Sequence, residues 1–352
     1  MGFLTSLLIL SFLIFFHELG HFLAARYFGV HVEVFSIGFG KKVFTKTIGK
    51  TQYCLSAIPL GGYVQMKGQD DSDPTKISDD LDSYNTKKPW KRVIILFAGP
   101  LANFILAFFL YLAIANIGVT KLLPIIGNIG VDTPAAQMGL MEHDRVVEIN
   151  SKNIKTWDDL SSTIKQSDGP LLINIQRKNQ IKSFTITPDI KEVKTIFGEP
   201  IKQRILGISP IGQTIVLDLT LIETINFAYI ETIKATTMII MSLQKLIQGI
   251  IPMKDLGGVV AIVQVTAQAS ETGIIALFAL TALISVNLGV LNLLPIPALD
   301  GGHIMFNIYE IITKKPPSKK ILYGMTVFGW IFLLSLMTFT IFNDLFRIFG
   351  GY

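Results

Sequence analysis

Four apolar runs, at about residues 2–25, 93–117, 274–297 and 321–342, are each long enough to cross roughly 30 Å of hydrocarbon. A chain that carries them is expected to fold as a polytopic α-helical membrane protein with four transmembrane helices. Composition agrees: half of the 352 residues are hydrophobic and 16% are charged, where soluble domains run nearer 25% charged. The first run has no basic leader or small-x-small cleavage site and carries His17, Glu18 and His21 near its end, so it is expected to stay as a membrane helix. The single Cys54 excludes an internal disulfide framework and any multi-cysteine metal site. A metal would have to be held by histidine and carboxylate.

The net charge of +5 could suggest nucleic acid, but the positions of the basic residues argue otherwise. The loop from Arg26 to Arg92 holds eleven Lys/Arg, including Lys87, Lys88, Lys91 and Arg92 at the mouth of the second run. Lys314, Lys315, Lys319 and Lys320 lie between the last two runs. The positive-inside rule makes both loops cytoplasmic and puts both termini and the long insert at 118–273 on the other side. The basic excess therefore reports topology, and no nucleic-acid partner is expected. The acidic stretch Asp70, Asp71, Asp73, Asp79, Asp80 and Asp82 reads as a solvated cytoplasmic linker.

The chain divides into residues 1–117 with the first two helices and their cytoplasmic loop, a soluble domain at 118–200, a segment at 201–273, and the last two helices at 274–352. Within 125–190, alternating strands such as Arg145-Val146-Val147-Glu148-Ile149-Asn150 and Leu171-Leu172-Ile173-Asn174-Ile175 flank a helical stretch near Trp157 to Ile164, the pattern of a small α+β domain. Residues 218–251 are apolar but interrupted by Asp218, Glu223, Glu231, Lys234 and Lys245, which favours an amphipathic helix on the membrane surface.

His17-Glu18-Leu19-Gly20-His21 is an HExxH pattern in the first helix. Positions i and i+4 share a helix face, so two imidazoles can bind one Zn²⁺, while Glu18 is placed to take a proton from an attacking water. Sixteen residues without a side-chain charge precede His17, which sets it about 24 Å along the helix. Ionisable groups at such depth are costly and usually functional. A catalytic zinc needs a third protein ligand and an open position; Asp300, His303, His31 and His143 are candidates. Asp300 stands out because it closes the third run in Asn292-Leu293-Leu294-Pro295-Ile296-Pro297-Ala298-Leu299-Asp300-Gly301-Gly302, where the prolines break the helix and the glycines permit close backbone approach. The first and third helices run in the same direction across the membrane, so His17, His21 and Asp300 fall toward the same, cytoplasmic, side. A fifth crossing at 218–251 would separate them. Gly99 and Asn103 in the second helix read as packing and interhelical hydrogen-bonding residues.

With HExxH in the first helix and Asn-x-x-Pro-x-Pro-x-Leu-Asp-Gly-Gly in the third, the chain resembles the site-2 protease family, and within it the bacterial regulator-of-sigma-E protease group. Phe97-Ala98-Gly99-Pro100-Leu101-Ala102-Asn103-Phe104, Gly38-Phe39-Gly40 and Pro59-Leu60-Gly61-Gly62-Tyr63-Val64 also match, and the similarity covers essentially the whole chain. Thr133-Pro134-Ala135-Ala136-Gln137-Met138-Gly139-Leu140, with Asp144 to Asn150 and Thr156 to Leu160, resembles a bacterial PDZ domain. The chain departs from the group in having one PDZ-like unit where two are common, and in Gly257-Gly258-Val259-Val260-Ala261-Ile262, which lacks the usual Gly-Pro step.

The resemblance implies an intramembrane zinc metalloendopeptidase that cuts transmembrane segments of already shortened single-pass proteins, such as anti-sigma factors, with remnant signal peptides as a second substrate type. It implies one Zn²⁺ per chain on His17, His21 and Asp300, Glu18 as general base, and Asn292 as a substrate contact. A helical substrate must unwind to expose a carbonyl, and Gly61, Gly62 and Tyr63 would offer it a strand edge in a membrane-associated β-loop. The implied location is the bacterial inner membrane, with both termini and the PDZ-like domain periplasmic and the active site toward the cytoplasmic side. Partners are then the lipid bilayer, single-pass substrates and a peptide C-terminus at the PDZ-like domain. The alternatives are a zinc transporter or metal-sensing receptor, which needs the ligands but not Glu18, and an inactive PDZ-bearing scaffold, which needs neither.

Overall fold

A computed structural model of the chain describes residues 2–69 and 78–349, with the backbone alone at 59 and 60. Asp70, Asp71 and Asp73 of the acidic stretch lie outside the described residues. The chain separates into two compact units, one formed by residues 1–114 and 223–352, the other by residues 115–222.

The first unit contains α1 (Gly2–Tyr27), β1 (Val32–Ile48), β2 (Thr51–Met66), α2 (Pro89–Ile117), α5 (Leu221–Ile247), α6 (Val259–Thr272), α7 (Ile274–Asn292), α8 (Asp300–Thr313) and α9 (Lys319–Phe349). Of these, α1, α2, α7 and α9 are long and apolar enough to cross a membrane, the same four segments that the apolar runs mark. α1 ends because Gly29 adopts φ +68°, which lets Val30 N–H reach Ala25 O at 2.8 Å and Gly29 N–H reach Arg26 O at 3.1 Å. These bonds satisfy carbonyls that a helix end would otherwise leave open.

The third apolar run does not continue as helix to 297. α7 stops at Asn292, five residues earlier, because Pro295 and Pro297 cannot donate to a helix ladder, and the chain restarts at Asp300 as α8. Asp300 thus opens a helix, held by a short irregular link. α2, α5 and α7 share a core of Ala107, Tyr111 and Ile114, Ala228 and Ala235, and Ala282, Val286 and Val290. The buried residues of α5, Thr224, Ala228, Thr232 and Ala235, are all small and fall on one stripe, which allows close helix packing. Large apolar side chains such as Ile222, Tyr229 and Ile233 remain exposed on the same helix.

α6 packs on α1, where Gly2 meets Ala267 and Ser6 Oγ donates to Val263 O at 3.2 Å. Its N-terminus is capped from α9: Asp344 accepts from the amides of Gly258, Val260 and Ala261 at 3.0–3.1 Å.

β1 and β2 make a folded ribbon. The start of β1 pairs on one side with the end of β2 (Val34 with Gln65, Ile37 with Gly62) and on the other with its beginning (Val34 with Gln52, Ile37 with Leu55). The end of β1 folds back on that same beginning, Phe44 opposite Leu55 and Ile48 opposite Thr51. Residues 62–66 therefore form an edge whose outer side pairs with no strand among the described residues. Lys67, just beyond, holds Asp80 at 2.7 Å and Asp82 at 2.9 Å, so this part of the acidic stretch is tied to the ribbon. Hydrogen bonds to the two carboxylates raise the Lys67 pKa above its ordinary value.

The second unit holds β3 (Val119–Leu122), β4 (Ile126–Ile129), α3 (Pro134–Gln137), β5 (Arg145–Ile149), β6 (Lys152–Asn153), α4 (Trp157–Lys165), β7 (Leu171–Arg177), β8 (Gln180–Ile186), β9 (Asp189–Lys194), β10 (Pro200–Ile205), β11 (Ile208–Pro210) and β12 (Thr214–Leu217). β6-β5-β7-β8 form an antiparallel sheet, and β9–β10, β4–β11 and β3–β12 form three antiparallel pairs. Leu171, Ile173 and Ile175 of β7 turn inward at period two against Leu160 and Ile164 of α4. α4 starts with a capping box in which Thr156 and Asp159 bond reciprocally to each other's backbone. Residues 201–217, expected in the segment after this domain, pair instead with its strands, because β11 and β12 find their partners in β4 and β3 at the domain's beginning.

Candidate metal centre

The centre is built where α1 crosses α2. The two helices come close because two glycines leave room: a Cβ on Gly20 would collide with Ala98 O, and one on Gly99 with the His21 ring. His17 and His21, four residues apart on α1, meet Asn103 and Gly99, four residues apart on α2 in the opposite order. His21 Nδ1 lies 2.9 Å from Ile95 O. A carbonyl can only accept, so Nδ1 carries the proton and Nε2 presents a lone pair. Asn103 Nδ2 lies 3.1 Å from His17 Nδ1 and leaves Oδ1 buried without a hydrogen bond among the described residues. Turning the carboxamide over, a change of oxygen for nitrogen at the same positions, would let Oδ1 accept from Nδ1 and leave His17 Nε2 equally available.

The α7–α8 link brings Asp300 to the same point. Asp300 Oδ2 is 3.2 Å from His17 Nε2 and 3.4 Å from His21 Nε2, and the two ring nitrogens are 3.2 Å apart. Both histidines are 6% exposed. Two ligand atoms at 2.0–2.1 Å from a tetrahedral zinc stand about 3.3 Å apart, so the three separations fit that ion. Asp300 Oδ2 is buried and receives no hydrogen bond of good geometry among the described residues, as suits an atom reserved for a cation. His17, His21 and Asp300 are the only group of three or more potential metal-holding His, Cys, Asp or Glu side chains found among the described residues.

A cavity of about 320 Å³ opens at this group, and Glu18, Gly62, Tyr63, His303 and Trp330 line it beside the three ligand candidates. Gly62 stands close enough to Glu18 that a Cβ there would sit 3.5 Å from Glu18 Cγ. Of the other residues singled out in the sequence, Asn292 closes α7 and places Nδ2 3.2 Å from His17 Nε2. Gly61, at φ +123°, backs onto the Phe39 ring and does not line the cavity. His303, one turn beyond Asp300, lines the cavity but does not join the metal-holding group. His31 is engaged with Lys50 O at 3.1 Å and Asp82 at 3.6 Å. His143 belongs to the second unit.

Gly99 packs on the His21 ring and Asn103 makes an interhelical hydrogen bond to His17, the roles read from the sequence; that their partners are two of the ligand candidates was not read there. The signal was present in their spacing, i and i+4 on one helix, matching the spacing of the two histidines.

The sequence profile of peptidase family M50 matches residues 5–336. A protein of Campylobacter jejuni is 46% identical over 348 residues, covering 99% of this chain and 94% of its own length. One from Helicobacter pylori strain J99 is 39% identical over 356 residues, covering 98% and 99%. One from Clostridium acetobutylicum is 34% identical over 341 residues, covering 96% of each. Each of the three bears a name proposing a zinc metalloprotease.

Proposed function

The chain belongs to peptidase family M50 and is a zinc metalloprotease, and we propose that it cuts peptide bonds inside the transmembrane segments of single-pass proteins already shortened by another protease. The observation that carries this reading is the convergence of His17, His21 and Asp300 beside Glu18 in a cavity reached from a helix long and apolar enough to span a membrane.

In the proposed assignment, His17 and His21 through Nε2 and Asp300 through Oδ2 hold the zinc. When bound there, zinc supplies Lewis acidity, polarising the scissile carbonyl and making water a nucleophile near neutral pH. Glu18 takes the proton of the attacking water and delivers it to the leaving amine. Ile95 O and Asn103 fix the two rings so that their Nε2 lone pairs converge. The outer edge of residues 62–66 offers its backbone amides and carbonyls to a locally unwound substrate, pairing with it as an added strand and presenting one carbonyl toward Glu18. Asn292 binds the substrate at that carbonyl.

The ribbon carries exposed Val43, Phe44 and Ile48, which supports a β-loop dipped into the bilayer surface. The Lys/Arg-rich loops support an orientation with the metal centre toward the cytoplasm and residues 115–222 outside the bacterial inner membrane. In this reading the second unit is a PDZ-like domain that binds a substrate's newly exposed C-terminus or excludes substrates with bulky external domains. Membrane-bound anti-sigma proteins and leftover signal peptides are the substrate types it suits.

The purified protein in liposomes, given a single-pass substrate lacking most of its external domain, is expected to cut it, to stop on chelation and to resume when zinc is restored. The reading fails if zinc-loaded protein leaves a broad panel of such substrates intact. Zinc movement across the same liposomes would then favour a transporter.

A further inference from the structure

A second cavity, of about 380 Å³, opens where α1 ends against the turn of the ribbon at Gly49 and Lys50. Two of the side chains that line it, Arg26 and Lys50, are exposed cations. The Arg26 guanidinium lies over the Phe22 ring at 5.8 Å and donates from Nη1 to Thr51 Oγ1 at 3.5 Å. That leaves most of its five donors uncommitted. Neither Arg26 nor Lys50 pairs with a carboxylate among the described residues. His31 Nε2 donates to Lys50 O at 3.1 Å, so the turn that carries Lys50 is tied to the chain leaving α1. The one carboxylate in the wall, Asp82, is already engaged: Lys67 Nζ holds its Oδ1 at 2.9 Å, and its Oδ2 lies 3.6 Å from His31 Nδ1. Lys87 stands just outside, with Nζ 3.8 Å from where a Cβ on Gly29 would lie.

Two held cations facing an open concavity suit an anion, and three observations make that anion an amphiphile. α1 is long and apolar enough to cross a membrane, and Arg26 is its second-last residue, so the cavity lies where the helix leaves the hydrocarbon and the phosphates of a bilayer begin. Tyr27 at the end of α1 and Trp90 at the start of α2 are 84% and 47% exposed, and such side chains settle at a membrane–water interface. Ile48, 56% exposed, lines the cavity beside the cations and gives the chains of a lipid an apolar neighbour. A free phosphate needs none of these.

We propose that this cavity binds the phosphodiester headgroup of an anionic phospholipid, with Arg26 and Lys50 on the phosphate oxygens and Ile48 against the glycerol end of the chains. One lipid then bridges the end of α1, which carries His17 and His21, and the turn of the ribbon, which carries the open edge at 62–66. The site needs no peptidase activity to be occupied.

Native mass spectrometry of the full chain in neutral detergent, with equal amounts of phosphatidylglycerol and phosphatidylcholine, reads which lipid is retained. One basic residue beside an anionic surface is typically worth about fivefold, so wild type is expected to prefer phosphatidylglycerol by at least about tenfold. Arg26→Gln and Lys50→Gln should each lower that preference by about fivefold, with zinc content at the wild-type level. Lys320→Gln, which removes an exposed cation of the other basic loop, should leave it unchanged. Equal retention of the two lipids by wild type overturns the proposal, as does a zinc-loaded Arg26→Gln or Lys50→Gln protein that keeps the full preference, or a Lys320→Gln protein that loses as much. Excess inorganic phosphate is expected to leave the bound phosphatidylglycerol in place; its displacement would give the cavity to free phosphate and overturn the lipid assignment.

Discussion

Glu18→Gln is expected to leave zinc bound and to slow cleavage by about a hundredfold to ten-thousandfold, the usual contribution of a positioned general base. Glutamine keeps the size and polarity of the side chain but cannot take a proton at neutral pH. The ligand candidates His17, His21 and Asp300 are untouched, so metal content, measured by elemental analysis of the purified variant, should equal that of wild type. The two readouts separate the roles: a variant without metal would speak of structure, a variant with metal and no turnover of proton transfer. Equal rates for Glu18→Gln and wild type would remove Glu18 from the mechanism and revive a reading in which the ligands only carry or sense zinc.

Gly99→Ala should be nearly as damaging although it adds one methyl to a residue that touches no substrate. The new Cβ collides with the His21 ring, and the neighbour on the other side is the α2 backbone that supplies Ile95 O. The ring must turn, which breaks its Nδ1 hydrogen bond and misdirects Nε2. Loss of such supporting contacts typically costs 10–100-fold in metal affinity, so zinc competition with a chelator should show a loss of at least about tenfold. Gly324→Ala on α9 is the control, since a Cβ there meets nothing within 4 Å; replacing a helix-interior glycine is expected to leave zinc affinity unchanged and to stabilise by about 0.5–1 kcal/mol. Full zinc affinity in Gly99→Ala would contradict the close approach of α1 and α2 on which the centre depends.

Much of this arrangement was legible because its chemistry is local. HExxH puts two imidazoles on one helix face wherever the helix lies, and apolar runs near 20 residues identify themselves. Asp300 was legible from its neighbours, since two prolines and two glycines at the end of an apolar run announce irregular backbone. What those prolines do to the helix was only half visible: α7 ends at Asn292 and Asp300 starts α8, because a helix can yield several residues before the proline that ends it.

The relations that the sequence hid are those between distant segments. Nothing in Gly99 or Asn103 alone says that the face they share meets His21 and His17; that depends on the antiparallel crossing of two helices. Gly61 and Gly62 look equivalent in sequence, yet one backs onto Phe39 and the other faces Glu18, since successive residues of a strand point to opposite sides. The far boundary of the second unit was hidden because β11 and β12 are short and meaningful only beside β4 and β3, some eighty or more residues earlier.

The central claim is that a zinc-dependent cut falls inside a membrane segment. It is tested most directly by the masses of the two fragments released from a single-pass substrate in liposomes, with chelated enzyme alongside. The account predicts new termini within the apolar segment, in its cytoplasmic half, and no fragments after chelation. Termini in a water-exposed flank, or the same fragments from the chelated enzyme, would contradict it.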